Sequence, residues 1–154
     1  SETVLAFGGE WVDSRMVNLE GKFAGLLHIY VPENQVEALI EALHGGQLQD
    51  LQVLVERAET QDSTQTSRSL TLELIGLDRP GIVHQISQAI TQMNINVEEL
   101  ETGIFDAAMS GEHMFQVRAR LLVPQTADVA ELQEVLEELA NELMVDIQLE
   151  NDSA

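Results

Sequence analysis

The sequence predicts an α+β protein made of two tandem repeats, each with the element order β-α-β-β-α-β. Strands are indicated by apolar residues at every second position, most clearly Leu70, Leu72 and Leu74. Helices are indicated by apolar residues spaced three or four positions apart. The repeat is indicated by Val31-Pro32, which recurs as Val123-Pro124 at an offset of 92 residues. Each unit is therefore expected to form a ferredoxin-like sandwich, a four-stranded antiparallel sheet with its two helices on one face.

The first repeat is predicted to be incomplete. Its elements are the end of a helix, two strands, a second helix and a third strand, at 1–7, 11–19, 22–31, 33–43 and 48–56. Gly8 suits a left-handed cap at the end of the first helix. Alignment of the two repeats places Ser1 opposite Ser87, so we expect the first unit to lack its first strand and the start of its first helix.

The second repeat is predicted to be complete. A polar stretch at 58–68 is expected to link a first unit at 1–57 to a second unit at 69–150, with a tail at 151–154. The elements of the second unit are expected at 69–76, 80–93, 96–105, 113–123, 127–143 and 144–149. Asn94 suits a left-handed cap after the first helix of this unit. The apolar alternation breaks between Val97 and Leu100, which predicts a β-bulge.

Composition excludes several classes of function. Seven Lys and Arg residues face 27 Asp and Glu residues, which gives the 154-residue chain a formal net charge of −20. The basic residues are scattered, so direct binding to nucleic acid or to an anionic membrane is not expected. No apolar run reaches the length of a membrane span and no signal peptide is recognisable, so a soluble cytoplasmic protein is expected.

Catalysis and metal binding are not indicated by any motif. The chain has no Cys, no G-x-S-x-G sequence and no H-E-x-x-H sequence. Its four His residues are far apart and lack the spacing of metal ligands. We therefore expect no enzymatic activity, no cofactor and no metal.

The turn between the first strand and first helix of the second repeat is the best candidate for a ligand site. Pro80 suits the first helical position, and Asp78 just before it can accept hydrogen bonds from unpaired helix amides. The amides of Gly81, Ile82 and Val83 would then face outward at the positive end of a helix dipole, where a carboxylate can bind. A well-capped turn with no ligand is the alternative.

An amino acid also needs a partner for its ammonium group. The carboxylate of Asp78 or the side-chain carbonyls of Asn94 and Asn96 can serve it, and Arg79 is a second possible partner for the carboxylate. We expect these groups to converge, on the premise that the strands before and after the helix are neighbours in the sheet. For Asn94 a capping role without a ligand is the alternative.

The element order, together with the stretch Gly76-Leu-Asp-Arg-Pro-Gly-Ile-Val83, resembles ACT domains, which are regulatory modules that bind small molecules. More narrowly, Trp11-Val-Asp-Ser-Arg-Met16 and Gly21-Lys-Phe-Ala-Gly25 resemble the glycine cleavage system transcriptional repressor family. The resemblance implies that units pair side by side and bind effectors at the interface between them. On this chain it implies a ligand site formed by Asp78, Arg79, Pro80, Gly81, Ile82, Val83, Asn94, Ile95 and Asn96.

The same resemblance implies a function. It implies a homo-oligomer that senses a small amino acid, glycine foremost, and controls transcription through a DNA-binding transcription factor partner. The first repeat shows no counterpart of the Asp78–Gly81 turn, so a second effector site is not placed. The alternative is a structural interaction module without any small-molecule effector.

Overall fold

The computed structural model describes residues 1–45, 50–58 and 66–152. The chain divides into two compact units, Ser1–Thr60 and Gln61–Ala154. Both units combine helices with antiparallel sheet, and the six strands of the described residues form two sheets. The helices of the described residues are all too short or too polar to cross a bilayer.

The first unit is built around a β-hairpin. Its elements are helix α1 (Glu2–Ala6), strands β1 (Glu10–Leu19) and β2 (Lys22–Tyr30), a 3₁₀ turn (Glu33–Gln35) and helix α2 (Val36–Gly45). The hairpin turn is formed by Glu20 and Gly21, both with positive φ, which matches the twist of the two strands. Val4 of α1 and Leu39 of α2 are its buried residues within the described part of the chain.

The strand predicted at 48–56 is wrong for the residues that the structure describes. Residues 50–58 contain no strand, and positions 48 and 49 lie outside the described residues. The segment is held at its end by Arg57, whose guanidinium donates to Glu33 at 2.9 Å and to Glu37 at 3.0 Å. The described sheet of this unit therefore has two strands instead of the three expected.

The second unit has the full β-α-β-β-α-β order. Its elements are β3 (Ser67–Leu77), α3 (Ile82–Gln92), β4 (Asn96–Asp106), β5 (His113–Pro124), α4 (Val129–Leu143) and β6 (Val145–Asn151). The sheet order is β4-β5-β3-β6 and every pairing is antiparallel. The predicted bulge is confirmed by a register shift between Val97 and Glu99.

The core of the second unit joins both helices to alternate residues of the strands. The sheet contributes Leu70, Leu72, Leu74, Val117, Ala119, Leu121 and Val123, and the helices contribute Ile82, Ile86, Ile90, Leu132, Leu136 and Leu143. Burying one such leucine or isoleucine side chain stabilises the fold by about 1.5–3 kcal/mol. Helix α4 is capped by Asp128, which accepts a hydrogen bond from the amide of Ala130 at 2.9 Å.

The other face of this sheet has mixed polarity, because charged residues share it with the exposed apolar residues Ile75, Leu77 and Phe105. Glu73 of β3 lies 3.5 Å from Arg118 of β5, and Arg120 lies 3.5 Å from Glu99 of β4. Each arginine side chain is thus matched by a carboxylate on a neighbouring strand.

Candidate functional site

The start of α3 differs from the sequence prediction. The helix begins at Ile82, and Gly81 is its N-cap residue with φ of +91°. Pro80 therefore precedes the helix and does not occupy its first position, and the side chain of Asp78 makes no capping hydrogen bond. The reason is that the chain reverses from β3 into α3 through a left-handed residue, a conformation that glycine adopts without strain.

The turn before α3 is fixed to the start of β5. The backbone amide of Asp78 donates to the carbonyl of His113 at 3.0 Å. The Nδ1 atom of His113 lies 2.7 Å from a carboxylate oxygen of Asp106, the last residue of β4. The structure therefore brings Asp106 and His113 beside the turn, although sequence reasoning missed both. The sequence pattern of the strands could have identified these two residues only if the register of β4 with β5 had been known.

The other predicted residues lie at the far end of α3. Asn94 has φ of +55° and its amide donates to Thr91 at 3.0 Å, while the amide of Ile95 donates to Ile90 at 3.3 Å. This is a left-handed helix cap, so that prediction is confirmed. The side-chain amide of Asn96 donates to Glu98 at 3.0 Å.

Two of the nine predicted site residues belong to the hydrophobic core. Ile82 and Ile95 are buried and belong to the hydrophobic cluster of the second unit. Their side chains pack between helix and sheet, so their backbone groups alone could meet a ligand. The remaining residues, Asp78, Arg79, Pro80, Gly81, Val83, Asn94 and Asn96, are exposed or half-buried.

The expected convergence of the two groups within one unit is wrong. The turn lies at the start of α3 and Asn94 lies beyond its end, and a helix of 11 residues is about 16 Å long. Strand β5 also lies between β3 and β4 in the sheet, so the premise that these strands are neighbours fails. One small amino acid cannot touch both groups in a single unit.

The turn alone has the chemistry of a carboxylate site. The first amides of α3 have no side-chain cap, so the positive end of the helix dipole is unopposed there. Gly81 is exposed, and a Cβ atom added to it would meet no atom within 4 Å. Arg79 is half-buried and makes no ion pair with any residue in the described ranges, which leaves its guanidinium for an anion.

Comparison with known proteins agrees with this fold. A family model described as the ACT domain matches residues 64–145, more than half of the chain. The chain belongs to the ACT domain family. The resemblance predicted from the sequence is therefore confirmed for this family, and the matched range covers the Asp78–Gly81 turn, helix α3 and Asn94 to Asn96.

Solved structures that match nearly all of this ACT-domain chain include the following two. An unknown protein from Galdieria sulphuraria is 25% identical, with 99% of this chain and 87% of that chain covered and a TM-score of 0.77. A candidate glycine cleavage system transcriptional repressor is 20% identical, with 99% and 86% covered and a TM-score of 0.74. At that identity the second match shows the fold alone. A sequence search of curated proteins gives no significant match.

Proposed function

We propose that this ACT-domain protein is a non-enzymatic regulator that senses a small amino acid, with glycine the first candidate. The observation that carries the proposal is the uncapped start of α3, where Gly81 leaves the helix amides open to a carboxylate. Glycine suits the site because its ammonium and carboxylate groups are its only recognition features. Arg79 is a second donor within the same turn.

The site is completed by a second copy of the second unit. Strand β4 lies at one end of the sheet order, and its outer edge pairs with no strand among residues 1–45, 50–58 and 66–152, so it can accept another strand. Antiparallel pairing of two β4 strands about a two-fold axis near Glu101 sets Asn96 of one copy opposite Asp106 of the other. Asp106 adjoins the Asp78 turn through His113. The pairing thus unites the turn of one copy with Asn94 and Asn96 of the other.

The apolar residues of β4 support this pairing. Leu100 and Ile104 lie opposite Ala119 and Phe115, and so on the helix side of the sheet, yet they are 52% and 61% exposed. A second β4 strand with the same residues would cover them and remove apolar surface from water. An eight-stranded sheet with the effector sites at its centre would result.

In this proposal the protein regulates transcription by binding a partner protein and does not contact DNA itself. A formal charge of −20 repels the phosphate backbone, so the protein itself is a poor ligand for DNA. A DNA-binding transcription factor in the cytoplasm is the partner class that such an acidic regulator suits. The structural resemblance to a candidate repressor is consistent with this role.

Isothermal calorimetry of the full chain with glycine, serine and alanine tests the proposal. We expect binding of at least one of them, with a stoichiometry of one per second unit, and sedimentation should show a dimer under the same conditions. A dimer that binds none of the three at millimolar concentration would leave an interaction module without effector as the better description. A monomer that binds glycine would refute the composite site.

A further inference from the structure

Strand β6 forms the end of the sheet opposite to β4. It pairs with β3 along its whole length, and its other edge meets no strand in the described part of the chain. A groove of about 340 Å³ runs along this edge, between β6 and helix α4. Its wall on the strand is formed by residues 147–150, and its wall on the helix by Gln133, Leu136 and Glu137.

The backbone of β6 directs hydrogen-bonding groups out of the sheet edge, where another strand can bind. The amide of Asp152 donates to the carbonyl of Ser69 at 3.1 Å, which marks these two as a hydrogen-bonded pair. Because such pairs alternate with non-bonded pairs, the amide and carbonyl groups of Ile147 and Leu149 point away from β3, out of the sheet edge. An extended chain laid along β6 can therefore form main-chain hydrogen bonds with both residues.

The side chains around the edge specify the chemistry of that chain. Half-buried Ile147 and Leu149 face the groove, together with buried Leu136 of α4. Asp146 and Glu150 are exposed on the opposite face of the same strand. A strand beside β6 would therefore meet apolar side chains at one set of alternate positions and, at the other set, the carboxylates of Asp146 and Glu150 on either side of Gln148.

We propose that the β6 edge binds an extended, basic segment of a partner protein in which apolar and positively charged residues alternate. Charge complementarity selects this occupant. Pairing of β6 with β6 of a second copy would bring Asp146 of one copy towards Glu150 of the other, and like charges at opposed positions destabilise a sheet. The inference rests on the proposed partner-mediated regulation only in assuming that such a protein partner exists.

The test uses a blocked synthetic peptide, Val-Lys-Val-Lys-Val-Lys-Val, which matches the seven residues of β6. Amide chemical shifts of the full chain, recorded without any amino-acid effector, should change along β6 and α4 on titration. The peptide Val-Glu-Val-Glu-Val-Glu-Val should cause no such change. Because effector is absent, failure of amino-acid binding would not affect this result.

Charge reversal supplies a matched pair of variants. Asp146→Lys combined with Glu150→Lys turns two attractive cross-strand pairs into repulsive ones and should weaken binding about tenfold. Glu131→Lys combined with Glu138→Lys changes the net charge equally, on the face of α4 turned away from Gln133 and Glu137, and should alter affinity less than twofold. Thermal unfolding shows that both variants are folded. Equal weakening in both, or shift changes confined to β4 or the first unit, would overturn the proposal.

Discussion

Replacing Gly81 by Asp and by Asn separates the charge of the proposed carboxylate site from its backbone geometry. The two side chains have nearly the same size, and a Cβ atom at this position meets no other atom within 4 Å. Because φ is +91°, both variants carry a similar backbone strain, about 1–2 kcal/mol or less, since Asn and Asp tolerate positive φ better than other residues. They differ in one negative charge at the start of α3.

The charge has opposite effects on stability and on binding. An Asp at the N-cap gains about 0.3–1 kcal/mol from the helix dipole, so Gly81→Asp should unfold at the same temperature as Gly81→Asn or above it. A ligand carboxylate about 4 Å from the new carboxylate is repelled by about 1–4 kcal/mol, depending on how far solvent screens the pair. Glycine should therefore bind Gly81→Asp between about fivefold and several hundredfold more weakly than Gly81→Asn.

Calorimetry of both variants with glycine at neutral pH gives the ratio of affinities, and a thermal scan gives the stabilities. A Gly81→Asp protein that is at least as stable as Gly81→Asn but binds glycine more weakly is the result specific to an anion-binding site at this turn. Equal affinities of the two variants for glycine would refute the carboxylate site. This includes an equal loss of binding in both, because backbone strain or side-chain shape would then explain the loss without any effect of charge.

Three further predictions concern the stability of the second unit. Hydrogen bonds from the hydroxyls of Ser69 and Thr71 hold the pKa of Asp152 below its ordinary value of 3.8. The charged carboxylate therefore stabilises the fold above pH 3.8, and Asp152→Asn should lower the melting temperature at pH 7. The difference in melting temperature between the two proteins should close as the pH falls through the lowered pKa. A Cβ atom at Gly76 would meet the side chain of Val145, so Gly76→Ala should cost about 1–3 kcal/mol in urea unfolding, and Val145→Ala in the same chain should relieve part of the clash. Asn94→Ala should cost about 1 kcal/mol because Asn94 has positive φ, whereas Asn94→Gly should leave the urea midpoint nearly unchanged.

Features of the second unit that depend on local patterns could be predicted from its sequence. The buried set Leu70, Leu72 and Leu74 follows from alternation, because successive strand residues point to opposite faces. The left-handed conformation of Asn94 follows from its position after an apolar helical stretch. The bulge near Val97 follows from a break in the alternation.

The candidate site was harder to predict because its geometry depends on pairing and on competing turn signals. Pro80 and Asp78 are both good helix-start residues, and neither propensity states which residue reverses the chain, a role that Gly81 takes. Asp106 and His113 reach the turn through the register of β4 with β5. Register is a property of two strands together, so no single segment of sequence contains it.

The segment at 50–58 shows the same limit in the first unit. Leu51, Val53 and Val55 lie at alternate positions, although Leu54 between them is also apolar, and no strand forms among residues 50–58. In the second unit β6 is a strand because β3 lies beside it and supplies every ladder partner. The described first unit has no strand equivalent to β3. Alternation fixes which side chains face a core, but a strand also needs a neighbouring backbone to hydrogen-bond with, and the sequence pattern of one segment does not supply that neighbour.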